Sequence, residues 1–286
     1  MEIAGTTLAT RTWGAVDGRP LVFWHALGAV TSGAWIGEVA DVLAARGFRV
    51  VSIDGPGFGK SPALPAERYA VDELADRFWG VADTLGLERP VLAGHSWGGT
   101  IAVHAAADRP ASVSALVLLD SGHLDYADVP GSNPEATLTD RTEQVRTQVA
   151  EIPSFDALVE EFRSEIARPV TSALVEALRA GVREQPDGSV ELILTPEVRA
   201  AAMHGAVAER PSESWPVLAD AAVPVLLLLA TEPVETRAQN EAAARVFRAA
   251  LPLAEIRGCD GWGHDLLADA GSEVGAIVAD WLARVG

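Results

Sequence analysis

The chain has 286 residues, of which 49% are hydrophobic and 22% charged, the balance of an ordinary folded domain and not of a disordered chain. Lys and Arg number 22 against 40 Asp and Glu, a net charge of −18, so the surface repels phosphate backbones and nucleic acid is not an expected partner. One cysteine, Cys259, excludes an intrachain disulfide framework and a multi-cysteine metal site.

No basic stretch followed by an apolar core opens the chain, so no signal peptide is expected. Leu8 to Trp13 and Leu21 to Trp24 read as strands joined by a turn at Asp17-Gly18-Arg19-Pro20. A helix over Ala34 to Arg46 is closed by Gly47, and the β-branched run Phe48 to Ile53 follows as a strand. Glu67 to Leu85 is an amphipathic helix; Val91 to Ala93 is a strand, Gly98 to Ala107 a helix and Val113 to Leu119 another apolar strand. Short apolar strands alternating with helices indicate an α/β fold, a mostly parallel central sheet with helices on both faces.

The character then changes. Residues 121–215 read as helices around Glu143 to Val149, Phe155 to Ala167, Ser172 to Gly181 and Pro196 to Ala208, with a short strand at Val190 to Leu194. They hold 17 acids and 8 arginines, half of the net charge on a third of the chain. The alternation resumes with a strand at Val223 to Leu229, a helix over Thr236 to Ala250, a strand at Ala254 to Arg257 and a helix over Asp265 to Val285. The longest strongly apolar run, Val223 to Ala230, is too short to span a bilayer, and a cytoplasmic protein without a membrane partner is expected. The expected organisation is a core of residues 1–120 and 216–286 carrying a helical insertion at 121–215.

Gly94-His95-Ser96-Trp97-Gly98-Gly99 fits G-x-S-x-G between a strand and a helix. The glycines let backbone approach closely at a strained turn that lifts the Ser96 hydroxyl clear and leaves the Trp97 N–H free to bind an oxyanion. A serine hydroxyl needs a base. His264, in Gly261-Trp262-Gly263-His264-Asp265 just past the last strand, can reach Ser96 because parallel strand ends converge on one edge. His25-Ala26-Leu27-Gly28 ends an early strand, where a tight turn would present the Leu27 N–H as a second oxyanion donor. Asp54-Gly55-Pro56-Gly57-Phe58-Gly59-Lys60-Ser61 matches neither phosphate-binding glycine motif and reads as a structural loop.

Together these residues resemble the α/β-hydrolase family, over nearly the whole chain. The resemblance implies Ser96 as nucleophile, His264 as base, Leu27 and Trp97 as the oxyanion hole, and the insertion as a helical cap. Ala26 stands where the family usually has glycine. The family usually places its acid three residues after the small residue that ends the seventh strand; here that strand ends Leu228-Leu229-Ala230-Thr231-Glu232-Pro233, so proline occupies the register and Glu232 falls one residue short. A minority of members use an acid at the end of the sixth strand, where Asp120 follows Val117-Leu118-Leu119. Asp120 is preferred and Glu232 is the alternative.

A serine in the elbow implies acyl transfer, with hydrolysis of a small-molecule carboxylic ester as the first expectation, no cofactor and no metal. A proline-iminopeptidase-like aminopeptidase, whose substrate ammonium the acidic insertion would hold, is one alternative; a C–C, thioester or lactone hydrolase is another. A hydrolase-like ligand-binding protein without turnover is the reading outside enzymology. Trp24, His25, His95, His123 and Trp262 are the candidate substrate-binding residues, Trp24 and Trp262 because aromatic residues around the elbow would form an apolar acyl pocket. An exposed apolar cap helix would equally serve a homodimer.

Overall fold

A computed structural model describes residues 1–3, 5–129, 131–149 and 151–285 of the protein. The N-terminal strands β1 (Glu2–Ile3) and β2 (Thr6–Thr7) form a small antiparallel ribbon that the sequence pattern did not reveal. The alternation then begins with β3 (Thr10–Trp13), β4 (Arg19–Trp24), α1 (Gly37–Ala45), β5 (Phe48–Ile53), α2 (Val71–Thr84), β6 (Val91–His95), α3 (Trp97–Asp108) and β7 (Ala115–Leu119). After β7 come α4 (Leu138–Arg146), α5 (Phe155–Glu165), α6 (Ser172–Ala180), the hairpin β8 (Val182–Glu184) and β9 (Val190–Leu192), α7 (Pro196–Ala208) and α8 (Trp215–Asp220). The alternation closes with β10 (Val225–Ala230), α9 (Val234–Ala250), β11 (Glu255–Cys259) and α10 (Leu266–Val285), which is kinked at Ala270.

Seven strands form one sheet in the order β11-β10-β7-β6-β4-β5-β3, parallel throughout except for the antiparallel edge strand β3. Every residue of β6, β7 and β10 is buried, as a parallel sheet covered on both faces requires. Side chains alternate between the faces. On β4, Val22 and Trp24 join the core layer that includes Phe78 of α2, Ile101 of α3 and Phe247 of α9. Leu21 and Phe23 join the opposite layer with Leu43 of α1 and Val278 of α10.

The first helix after β7 starts earlier than its apolar pattern predicts, because Thr137 and Asp140 form a reciprocal capping box that begins α4 at Leu138. Arg168 and Thr171 tie this middle segment to the sheet body. The Arg168 Nη1 lies 3.0 Å from a Glu38 carboxylate oxygen, Arg168 Nη2 donates to the Leu267 carbonyl at 3.1 Å, and the Thr171 hydroxyl donates to Glu38. On the other flank α7 lies against the loop before α2, where a Cβ added to Gly205 would overlap the Tyr69 carbonyl. Among the described residues no helix is long and apolar enough to cross a membrane.

Because the inner strands run parallel, the residues following β4, β6, β7, β10 and β11 all emerge at one edge of the sheet. That edge carries Leu27, Ser96, Asp120, Glu232 and His264.

Candidate active site

Ser96 sits between β6 and α3 with φ 53° and ψ −121°, a conformation that costs a non-glycine residue energy and persists only where the surroundings impose it. Here they do. The Ser96 N–H donates to the Leu119 carbonyl at 3.2 Å, and the Ser96 carbonyl accepts from Gly99 N–H at 2.9 Å. A Cβ on Gly94 would overlap the Gly98 carbonyl, and one on Gly98 would overlap the Trp24 carbonyl, so the turn admits only glycine at both places.

The hydroxyl thus raised meets an imidazole. Ser96 Oγ lies 2.8 Å from His264 Nε2, and His264 Nδ1 lies 2.7 Å from Asp120 Oδ2. The other Asp120 oxygen accepts the Ala230 N–H at 2.9 Å, so the carboxylate is held at both ends. Desolvation pushes the buried Asp120 carboxyl up, but the His264 hydrogen bond and charge, with the Ala230 N–H, outweigh it and hold the carboxyl below its usual range. Desolvation pulls His264 down, and the hydrogen bond and charge of Asp120, with the charge of Asp265, more than reverse this, leaving the imidazole more basic than usual. A carboxylate, imidazole and hydroxyl joined in this order can move a proton off the serine while fixing the tautomer of the ring that takes it.

A cavity of about 370 Å³ opens on Ser96, with Leu27 and Trp97 in its walls. Trp97 opens α3, so its N–H has no carbonyl a turn earlier in the helix to donate to. A model of the alpha/beta hydrolase fold matches residues 19–187, more than half of the chain. The chain belongs to the alpha/beta hydrolase family. It is 40% identical over 104 residues to a 2-hydroxy-6-oxononadienedioate/2-hydroxy-6-oxononatrienedioate hydrolase of Paraburkholderia phymatum, a match that spans 36% of this chain and 36% of that one. The match to the curated relatives therefore covers about a third of their length. Among solved structures it is similar to E-2-(acetamidomethylene)succinate hydrolase, with a TM-score of 0.76 at 19% identity, covering 98% of this chain and 96% of that one. It is also similar to a thioesterase domain from the curacin biosynthetic pathway, with a TM-score of 0.75 at 21% identity and 97% of both chains covered. At these identities the two likenesses speak for the fold alone.

The second acid considered from sequence reaches the same edge of this hydrolase-fold chain but pairs with another residue. Glu232 Oε1 accepts from Arg237 Nη2 at 2.9 Å and makes no bond to His264. None of the five candidate substrate-binding residues is among the described residues that line the Ser96 cavity. Trp24 is fully buried, stacked on Phe78 and edge-on to Trp97. His25 is equally buried: its Nδ1–H donates to the Ala26 carbonyl at 2.7 Å and its Nε2 accepts Gly55 N–H at 2.9 Å. Burial drives its pKa down to about 4, so the ring is a neutral strut for the Asp54–Ser61 loop. His95 donates from Nε2 to the His264 carbonyl at 2.8 Å, bracing the residue that carries the imidazole. Trp262 packs against the apolar core, and its carbonyl accepts the N–H groups of Thr231 and Glu232 at 3.1 and 3.0 Å. His123 is buried and faces a neighbouring cavity of about 250 Å³ that shares Tyr126 and Val129 with the first and also touches Asp120 and His264.

The pocket residues that sequence reasoning missed come mostly from the middle segment. Tyr126 places its hydroxyl 3.4 Å from Ser96 Oγ, on a turn pinned by Asp125, which accepts from Arg210 and Ser212. Arg199, Met203, Ala206 and Val207 of α7 line the cavity at helical spacing, a stripe visible in the sequence once α7 is known to face the elbow. A larger hollow of about 730 Å³ beneath the β8–β9 hairpin shares no lining residue with this cavity. Among the described residues no cluster of three His, Cys, Asp or Glu side chains is placed to hold a metal ion.

Proposed function

We infer that the protein is a serine hydrolase that cleaves a small-molecule carboxylic ester through an acyl-enzyme, with residues 121–215 acting as a cap over the site. The carrying observation is the unbroken Ser96–His264–Asp120 chain, with contacts of 2.8 and 2.7 Å. His264 takes the Ser96 proton as Oγ attacks the ester carbonyl carbon. The Leu27 and Trp97 N–H groups receive the charge that develops on the carbonyl oxygen. His264 then returns the proton to the departing alkoxide, and the alcohol leaves. Water gives a proton to the same ring, attacks the acyl-enzyme and frees the carboxylic acid, restoring the Ser96 hydroxyl. Asp120 holds the ring in the tautomer that presents a bare Nε2 and stabilises its cation. The cavity of about 370 Å³ favours a compact substrate.

The similarity to a C–C bond hydrolase of Paraburkholderia phymatum supports a second reading in which the same hydroxyl and base act on a ketone and carbon leaves. The aminopeptidase reading is weakened by charge: Arg141 and Arg199 line the cavity, and among its described lining residues no Asp or Glu does, which is the wrong sign for an ammonium group. The turnover-free binding reading is weakened by the contact of 2.7 Å between Asp120 and the His264 imidazole, which supports a complete proton-transfer chain.

The test is covalent labelling. A fluorophosphonate probe should add one mass adduct to the wild type and none to Ser96→Ala or His264→Ala, and a panel of esters, thioesters and vinylogous ketones then sorts the leaving group. A well-folded wild type that takes no label sinks the enzyme reading.

A further inference from the structure

The Ser96 cavity is cationic in a strongly acidic chain. Residues 121–215 hold eight arginines. Five of them are neutralised by carboxylates: Arg146, Arg163, Arg168, Arg179 and Arg210. Of the other three, Arg183 is exposed to solvent, while Arg141 and Arg199 both line the cavity that holds Ser96. Arg141 is buried and donates from Nη1 to the Ser132 carbonyl at 3.1 Å and from Nη2 to the Asn133 carbonyl at 2.8 Å, so its fork is fixed but its charge is not matched. Arg199 has neither hydrogen bond nor ion pair to its side chain among the described residues, and its Nε is buried without a partner. Desolvation by burial also lowers its pKa.

A partly buried guanidinium without an anion carries a cost, and the chain has 40 carboxylates from which a partner could have been drawn. The other wall residues of the cavity are neutral. A planar fork on the rigid α7 helix suits the two oxygens of a carboxylate better than any neutral group. Resting on the hydrolase reading, we propose that Arg199, with Arg141 in the same cavity wall, is an anion subsite, and that the substrate is an ester whose acyl part bears a second, free carboxylate. The free carboxylate sits on Arg199 while the ester carbonyl sits at Ser96.

Two esters differing only in that charge test this: mono-4-nitrophenyl glutarate and its methyl ester. The wild type should prefer the acid by tenfold or more in kcat/KM. Arg199→Gln should bring the ratio of the two close to one, and Arg199→Lys should restore part of it. A wild-type ratio near one, or a preference that survives in Arg199→Gln, overturns the proposal. Calorimetric titration of glutarate into the Ser96→Ala protein reads the subsite without turnover. Saturable binding there that disappears in Ser96→Ala/Arg199→Gln upholds the subsite even if neither ester is hydrolysed, in which case only the hydrolase reading falls. Absence of glutarate binding to Ser96→Ala counts against the subsite alone.

Discussion

Sequence favours Asp120 over Glu232 only narrowly, for a reason that the strand register makes plain. Leu119 of β7 pairs with Leu228 of β10, so both strands reach the same edge and each delivers an acid just beyond it. Side-chain direction decides, and Asp120, with φ +46°, turns its carboxylate onto His264. On the proposed mechanism Asp120→Asn should lower kcat by about 10³ to 10⁴-fold, whereas Glu232→Gln should stay within a few-fold of wild type. The reverse pattern in steady-state kinetics would move the acid to β10. The imidazole works only when neutral, and its pKa lies above the ordinary 6.5, so kcat/KM should fall as pH drops through that raised value. In Asp120→Asn the residual activity should persist to lower pH. His25 gives a second pH effect, on stability. An unfolded chain protonates it near 6.5 and the folded protein only near 4, so its contribution is complete above pH 6.5 and drains away between the two. At about 1.4 kcal/mol per pKa unit the loss by pH 4 is roughly 3 kcal/mol. Urea unfolding followed from pH 7 to 4 should show this decline, and His25→Gln should flatten it.

The elements nearest the site were the most legible. Gly94, Gly98 and the apolar runs on either side announce a strand, a tight turn and a helix in one short segment, because close backbone approach tolerates no substitute for glycine. The middle segment was legible as helices but not as a wall of the site. Its pocket stripe on α7, from Arg199 to Val207, is indistinguishable from core spacing until the packing of α7 is known. Trp24 and His25, expected near substrate, are instead fully buried, and buried aromatic residues and pocket residues share a composition. Beside the apolar packing of α5, α6 and α7, a buried polar link ties the segment to the sheet body. Arg168 and Glu38 are both largely buried, with side chains 21% and 12% exposed, and Arg168 also serves two carbonyls of the α10 turn. Arg168→Ala should therefore cost about 1–3 kcal/mol by leaving Glu38 and those carbonyls underserved. Urea denaturation checks it, and an unchanged midpoint would mean that the apolar contacts of α6 with the sheet body suffice.

At the scale of the whole molecule, a net charge of −18 surrounds a cavity walled by two arginines. The long-range field repels an acidic substrate, while the interior rewards it. Salt screens exposed charges within about 10 Å at 0.1 M and affects buried pairs much less. For the acidic ester, kcat/KM should accordingly rise as ionic strength increases from low values toward 0.15 M, while the neutral methyl ester should show no such trend. A flat response for both esters would mean that the outer charge has no part in selecting the substrate.

The contribution of β10 to the Asp120 carboxylate is a single backbone N–H, that of Ala230. Any residue but proline supplies that group, so no particular side chain is demanded there by the proposed chemistry. The segment from Thr231 to Thr236 is thereby released from selection for chemistry and answers only to folding. In a library of random replacements, these positions should accept far more variety than those flanking Ser96, Asp120 and His264. Glu232, Pro233 and Thr236, on the wall of the second cavity, are thus the part of this edge most open to change while the reaction stays intact.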